Sequence, residues 1–596
     1  MFISGQVVDP FSGEVEKGGL EIDEASGRIL RRFHDNFCDE CYILPGFVDA
    51  HIHIESTMLL PSRFAAIALT HGTLAVVADP HEIANVMGVR GIRALIADGA
   101  GSPFVFSFGV PSCVPATEWE PGGARIDAED VRTLLREDGL GFLGEVMNFP
   151  GVLAGEPELA KKLAHARDLG LPIDGHAPGL SGEALRAYAA AGITTDHECS
   201  TVAEALEKIG AGIEVQMREG SAARNFDDLL PLFFQAPGRL MFCSDDIHAD
   251  ELLKGHINRL VARALTAGVP LKAILHAASV HPVTHYRLPL GLLREGDSAD
   301  FIILESPLEK VRVREAWMRG RCVARNGKFL DALSAVQAIN SFKDMRVSAS
   351  DFAIAAKAGA GAGAKQQCAE NYTGEFLQSQ QQQQRAENYK DKFSDACAAP
   401  APESGMCTVR VIEVTDGQIL TEKGQAELPM CAGQVCADPK RDILKIAVAG
   451  RYPREGLAPA PSAAFVRGFG IRAGAIAGSV AHDAHNIIAV GSSDDLMARA
   501  VNRIAESRGG IAAVGPDGTE HFLPLPFGGI MALDECAAVA ERIQVLDSFV
   551  RGDLASPLHA PFMTLSFLAL LVIPKLKLGE KGLFDGEAFC FVSCAV

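Results

Sequence analysis

The chain has no excess of positive charge: 55 Lys and Arg stand against 75 Asp and Glu, a formal net charge of -20 over 596 residues. General nucleic-acid binders need basic faces to displace counterions from phosphates, so that class is excluded and a small, weakly charged substrate fits better. Long apolar runs are missing too. The strongest, near residues 562–574, is shorter than the roughly 20 residues that cross a bilayer. The opening MFISGQVVDPFSGEVEKG has neither a basic head nor a long apolar stretch. No membrane partner is expected, and the default compartment is cytoplasmic. The 14 cysteines are scattered without the repeated paired spacing of zinc fingers, so they read as small buried side chains or free thiols of a reducing compartment. No His-x-Glu is followed by the Pro-Cys-x-x-Cys of the zinc-dependent base deaminases. The glycine-rich AGAGAGA tract follows no clear strand and lacks a Gly-Lys-Ser or Gly-Lys-Thr ending, so neither ATP nor NAD is implied.

What is present is organised around Leu44-Pro-Gly-Phe-Val-Asp-Ala-His-Ile-His-Ile-Glu55. In a strand, residues i and i+2 point to the same side, so His51 and His53 can reach one metal ion together. An isolated His-x-His is usually unremarkable, but Glu145, His176, His197 and Asp245 each end an apolar run of their own and are the types that hold divalent metals.

Eight strand-like runs alternate with Ala-rich helical segments over about 240 residues, the size of a (β/α)8 barrel in an α/β protein. A doubly wound open sheet is the alternative, though it would not place polar residues after nearly every strand around one mouth. The barrel is expected over 45–285. Residues 1–44 and 286–346 share a strand-and-turn texture and are expected to form one composite β-sandwich domain. Residues 347–405 are low in complexity and read as a linker or insertion. Residues 406–596 are expected to be a C-terminal α+β domain with its own polar loop, Ala481-His-Asp-Ala-His-Asn486.

Further residues gather at the expected mouth. Asp79, His81 and Glu82 form a second cluster that could hold another metal, although Asp79 before Pro80 also suits a helix cap. Asn148, Arg218, Glu219 and Asp246 are candidates for binding substrate, with ion pairing or orientation of a histidine as the plainer roles. His482, Asp483 and His485 look like a loop presented to that mouth, against the commoner fate of satisfying local turns.

PGFVDAHIHIE followed by ADPHEIANVMG resembles the signature of the amidohydrolase superfamily, the second motif being that of its adenine deaminase branch. GEVMNFPGV, GHAPGLSG, TDHECST, REGSAARN, CSDD and GFGIRAGAIAGSVAHDAHNIIAVG are similar to the same branch, as is APFMTLSFLAL. The resemblance spans nearly the whole chain except about 347–405 and the tail GEAFCFVSCAV. It implies two divalent metal ions per subunit, manganese or iron before zinc. His51, His53 and Asp245 would bind one ion, and His176 and His197 the other. Glu145 would bridge them where many relatives use a carboxylated lysine. The implied reaction is hydrolytic deamination of adenine to hypoxanthine and ammonia, a step of purine salvage. Asp245 is the first choice for moving protons, with Glu145 and Glu198 beside it. A homo-oligomer is the expected assembly. The alternatives are a cyclic-amide hydrolase of the dihydroorotase or hydantoinase type, and a non-catalytic metal-binding scaffold.

Overall fold

The computed structural model describes residues 1–120, 122–221, 223–355, 404–452, 460–573 and 575–596; most of the low-complexity tract, 356–403, lies outside them. The N-terminal strands β1 (Phe2–Val8), β2 (Val15–Asp23), β3 (Arg28–His34) and β4 (Cys41–Pro45) come first. A single residue, Gly46, then leads into the barrel.

The barrel strands are β5 (Phe47–Ile52), β6 (Thr73–Ala78), β7 (Val105–Val110), β8 (Phe142–Val146), β9 (Ile173–Gly175), β10 (Thr195–Asp196), β11 (Glu214–Arg218) and β12 (Leu240–Cys243). They form one parallel sheet in sequence order. Past β12 the ring is closed by Asp245, whose N–H donates to the His51 carbonyl at 2.9 Å and whose carbonyl accepts from His53 N–H at 3.2 Å. These strands are covered on both faces, which is why each reads as a nearly unbroken apolar run. The helices between them show the complementary one-sided pattern. In Ala128–Arg136, for example, Asp127 and Asp130 make a reciprocal cap at the N-terminus and Val131, Leu134 and Leu135 turn inward.

After the barrel, β13 (Phe301–Glu305), β14 (Val313–Met318), β15 (Arg321–Arg325) and β16 (Lys328–Phe329) return to the N-terminal strands. β13 runs antiparallel to β4, Phe301 opposite Pro45 and Glu305 opposite Cys41, giving one sheet of eight strands. Its core holds Leu20, Ile22, Ile43, Phe301 and Trp317.

The C-terminal sheet contains β17 (Ser404–Val414), β18 (Thr421–Cys431), β19 (Gln434–Val435), β20 (Leu444–Ala449), β21 (Ser462–Arg467), β22 (Ala475–Gly478), β23 (Ile487–Gly491), β24 (Gly510–Val514) and β25 (Glu520–Pro524). One face is covered by the helix Asp494–Ser507, which is capped by Ser493 and buries Met497, Val501 and Ile504. Phe352 is fully buried against the same face and Ile354 accepts from Val435 N–H at 2.9 Å, so packing continues into residues that composition assigns to the low-complexity tract. The opposite face shares one continuous core with the barrel. Ala532 N–H donates to the Met58 carbonyl at 2.8 Å across that junction. No helix among the described residues is long and apolar enough to cross a membrane; the apolar run near 562 folds as the short helical turns Pro561–Ser566 and Phe567–Ala569.

Candidate active site

The ligand-type side chains sit where barrel strands stop. β5 carries His51, and His53 follows its end; Glu145 is the second-last residue of β8. His176 and His197 are the first residues after β9 and β10, Arg218 ends β11, and Asp245 follows β12 by two positions.

Glu145 stands between two groups of imidazoles. Its Oε1 is 3.5 Å from His53 Nε2 and 3.4 Å from His81 Nδ1, while its Oε2 is 2.8 Å from His176 Nδ1 and 3.2 Å from His197 Nε2. Asp245 Oδ1 is 3.2 Å from His53 Nε2 and 3.6 Å from His51 Nε2, and its Oδ2 accepts from Arg218 at 2.6 Å. Arg218 also donates to Glu198, whose Oε1 is 3.4 Å from His197 Nε2. The His51 ring stacks on that of His197 with centroids 4.1 Å apart.

Charge controls the protonation of this buried set. Burial alone would raise the Glu145 and Asp245 carboxyls; His176 and His197 around the first, and Arg218 and His197 around the second, hold both well below the usual range. Burial opposes protonation of His197, yet Asp245, Glu145 and Glu198 together lift it to about 10. The carboxylates thus draw positive charge into the pocket.

A divalent ion would satisfy the same demand. Both ring nitrogens of His51, together with Nδ1 of His197 and of His81, are buried without a hydrogen-bond partner among the described residues. Leaving polar atoms buried and unpaired is costly, and imidazole mixed with carboxylate is a donor set that iron, manganese and zinc accept. The ligand atoms of His51, His53 and Asp245 lie within 4.8 Å of one another, as do those of His51, Glu145 and His197, and of His53, His81 and Glu145. The residues present fit metal.

Asp79 does not cap the following helix. Pro80 occupies the cap position of His81–Gly99 with no side-chain cap bond, and Asp79 Oδ2 instead accepts from Glu145 N–H at 2.9 Å. A Cβ at Gly144 would lie 2.5 Å from that carboxylate, so this close approach needs glycine. Asp79 therefore fixes the strand that carries Glu145. Glu82, one residue past His81, accepts from His482 Nδ1 and His485 Nε2 of the C-terminal loop. Phe567 stacks on His482 with centroids 4.7 Å apart. Asp483 Oδ2 is buried without a partner among the described residues, and burial followed by the Glu82 charge raises its carboxyl to about 6.

Three of the candidate substrate residues are engaged elsewhere or at the margin. Asn148 accepts from Gly151 N–H at 2.9 Å and caps its own helix. The Glu219 carboxylate is 2.8 Å from Arg263. Asp246 accepts from Ser56 and remains partly exposed beside the site. Sequence reasoning passes over Asp49, which is fully buried, 2.8 Å from His256 Nε2, and accepts from Ser244 N–H at 3.0 Å. It sits two residues before His51, and that i, i+2 step is the one signal the sequence offers. Asp174 was equally silent: burial raises it to about 7, and it accepts from Tyr286 and Thr195 at 2.8 Å each.

The strand ends of this parallel eight-stranded barrel thus converge on imidazoles divided by one carboxylate, within the part of the chain that marks it as an amidohydrolase. The amidohydrolase family model matches residues 42–328, and the adenine deaminase C-terminal domain model matches residues 418–590. Adenine deaminase of Salinibacter ruber is 44% identical over 99% of this chain and 98% of its own, and that of Methanosarcina mazei is 43% identical over the same shares. The chain belongs to the adenine deaminase family. Among solved structures, N-acetyl-D-glucosamine-6-phosphate deacetylase from Mycobacterium smegmatis gives a TM-score of 0.43 at 19% identity, covering 54% of this chain and 100% of that one.

Proposed function

We propose that this chain hydrolyses adenine to hypoxanthine and ammonia, with two divalent ions held in the barrel mouth. His51, His53 and Asp245 would hold one ion and His176 and His197 the other, with Glu145 between them. When bound, such ions supply acidification of a water molecule, so that hydroxide is available near neutral pH. Everything else falls to the side chains.

Deamination at C6 requires a proton to leave the attacking water and protons to reach the ring and the departing amine. Asp245, ionised by its contact with Arg218, is placed to accept and return one. Arg218 spans Asp245 and Glu198 and so keeps both carboxylates charged and in place. Asp483 and Asp246 offer carboxyls toward the edge of a bound purine, Asp483 because its Oδ2 has no other partner among the described residues.

The observation that carries this reading is the docking of the 481–486 loop on His81–Glu82, in the domain that matches the adenine deaminase C-terminal model. A cyclic-amide hydrolase built on a carboxylated lysine is disfavoured by where the buried lysines lie. Lys162 donates to the Ser112 and Ile126 carbonyls, Lys208 to Asp196, Lys445 to Asp494 and Lys577 to the Ile419 carbonyl. None of these contacts touches the imidazole cluster. The test is an ammonia-release screen of the metal-loaded protein over adenine, adenosine, guanine, cytosine and dihydroorotate. Ammonia from adenine is expected, and release from another member with adenine inert would refute the assignment.

A further inference from the structure

Glu82 meets three histidines. His81 Nε2 stands 3.6 Å from its Oε1, the same oxygen that His482 Nδ1 contacts, and His485 Nε2 contacts Oε2. These last two come from a chain segment some 400 residues away, on a different domain. All three side chains are buried, at 2%, 5% and 1% exposure for Glu82, His482 and His485. Their ligand atoms lie within 4.8 Å of one another. Asp483, at 7% exposure, adds a carboxylate oxygen without a partner among the described residues, and the charges that bear on it are those of Glu82, His81 and His482, with Glu145 after them.

We propose that Glu82, His482 and His485 form a third cation site, separate from the pair divided by Glu145, that takes a first-row divalent metal and fastens the C-terminal domain to the barrel. Two imidazoles and one carboxylate are the donor set of many zinc sites. The supports are already rigid. Tyr452 donates to the Ala484 carbonyl at 2.6 Å, His485 N–H to the Ala481 carbonyl at 2.7 Å, and Phe567 covers His482 from one side. Ligands oriented by such outer contacts are what a preformed metal site needs. A cation here would neutralise Glu82 while holding Asp483 at the mouth.

The experiment counts metal rather than turnover, so its outcome is separate from that of the proposed reaction. The full-length protein is stripped of metal, loaded with zinc, dialysed, and its zinc measured per chain. The wild type is expected to retain one equivalent more than His482→Ala/His485→Ala and one more than Glu82→Gln, which preserves side-chain volume and guards against misfolding of the double variant. Equal zinc in the wild type and a folded Glu82→Gln would overturn the proposal and leave an ion pair only. Loss of two equivalents from Glu82→Gln would also overturn it, because Glu82 would then belong to the Glu145 centre.

Discussion

Asp245→Asn isolates the proton-moving role from the folding role. The substitution keeps the shape and one carbonyl oxygen but removes the charge that sits 2.6 Å from Arg218 and 3.2 Å from His53. General acid–base catalysis contributes about 10²- to 10⁴-fold, so kcat should fall by at least ~100-fold, equivalent to roughly 3–5 kcal/mol of barrier. Stability should change less. Stripping the partner from a buried charge costs about 3–5 kcal/mol when nothing replaces it, but Arg218 keeps Glu198 and the loss should stay below that range. The assay is initial-rate ammonia release at saturating adenine, run beside elemental analysis and thermal denaturation. A folded variant with native metal content and turnover within about threefold of wild type would refute the reasoning.

Glu145→Gln should lower both metal occupancy and rate, and if Glu145 bridges the ions in place of a carboxylated lysine, reconstitution of the wild type should not depend on bicarbonate; metal content and rate with and without bicarbonate check both. Asp483→Asn should reduce kcat/KM for adenine while Tm stays nearly unchanged, because its Oδ2 has no hydrogen bond to lose among the described residues. Glu120 is buried, accepts from Asn486 and from Glu580 N–H, and burial raises its carboxyl from 4.5 to about 7. The fold thus favours the protonated form: its stabilisation is present below the unfolded value and is lost as pH rises through about 7, on the order of 3 kcal/mol in all. Glu120→Gln should therefore match the wild-type Tm near pH 5 and exceed it near pH 8, and Tm curves that run parallel across that window would contradict this.

The barrel was legible because parallel strands buried on both faces leave unbroken apolar runs, and because their C-terminal ends are where a polar residue is affordable. His51, His53, Glu145, His176, His197 and Asp245 all follow that rule, and the structure brings them together. Residues whose importance depends on distant partners were harder to read. Asp49 lies inside an apolar strand and meets His256 and Ser244 only after about 200 residues of chain have closed the ring. Asp79 before Pro80 has the local look of a cap, yet its carboxylate is drawn to the Glu145 backbone by the close approach that Gly144 allows. Local pattern pointed to His482, Asp483 and His485 as a loop presented to the mouth, but not to Glu82 as the group that His482 and His485 meet, since periodicity carries no information across domains.

The most direct test of the account is the reaction of adenine in oxygen-18 water with the metal-loaded full-length protein. Hydrolytic deamination predicts hypoxanthine carrying one heavy oxygen from solvent and one ammonia for each adenine consumed, both abolished by metal removal and restored by manganese, iron or zinc. Adenine left intact by the loaded protein, or hypoxanthine formed without solvent oxygen, would contradict it.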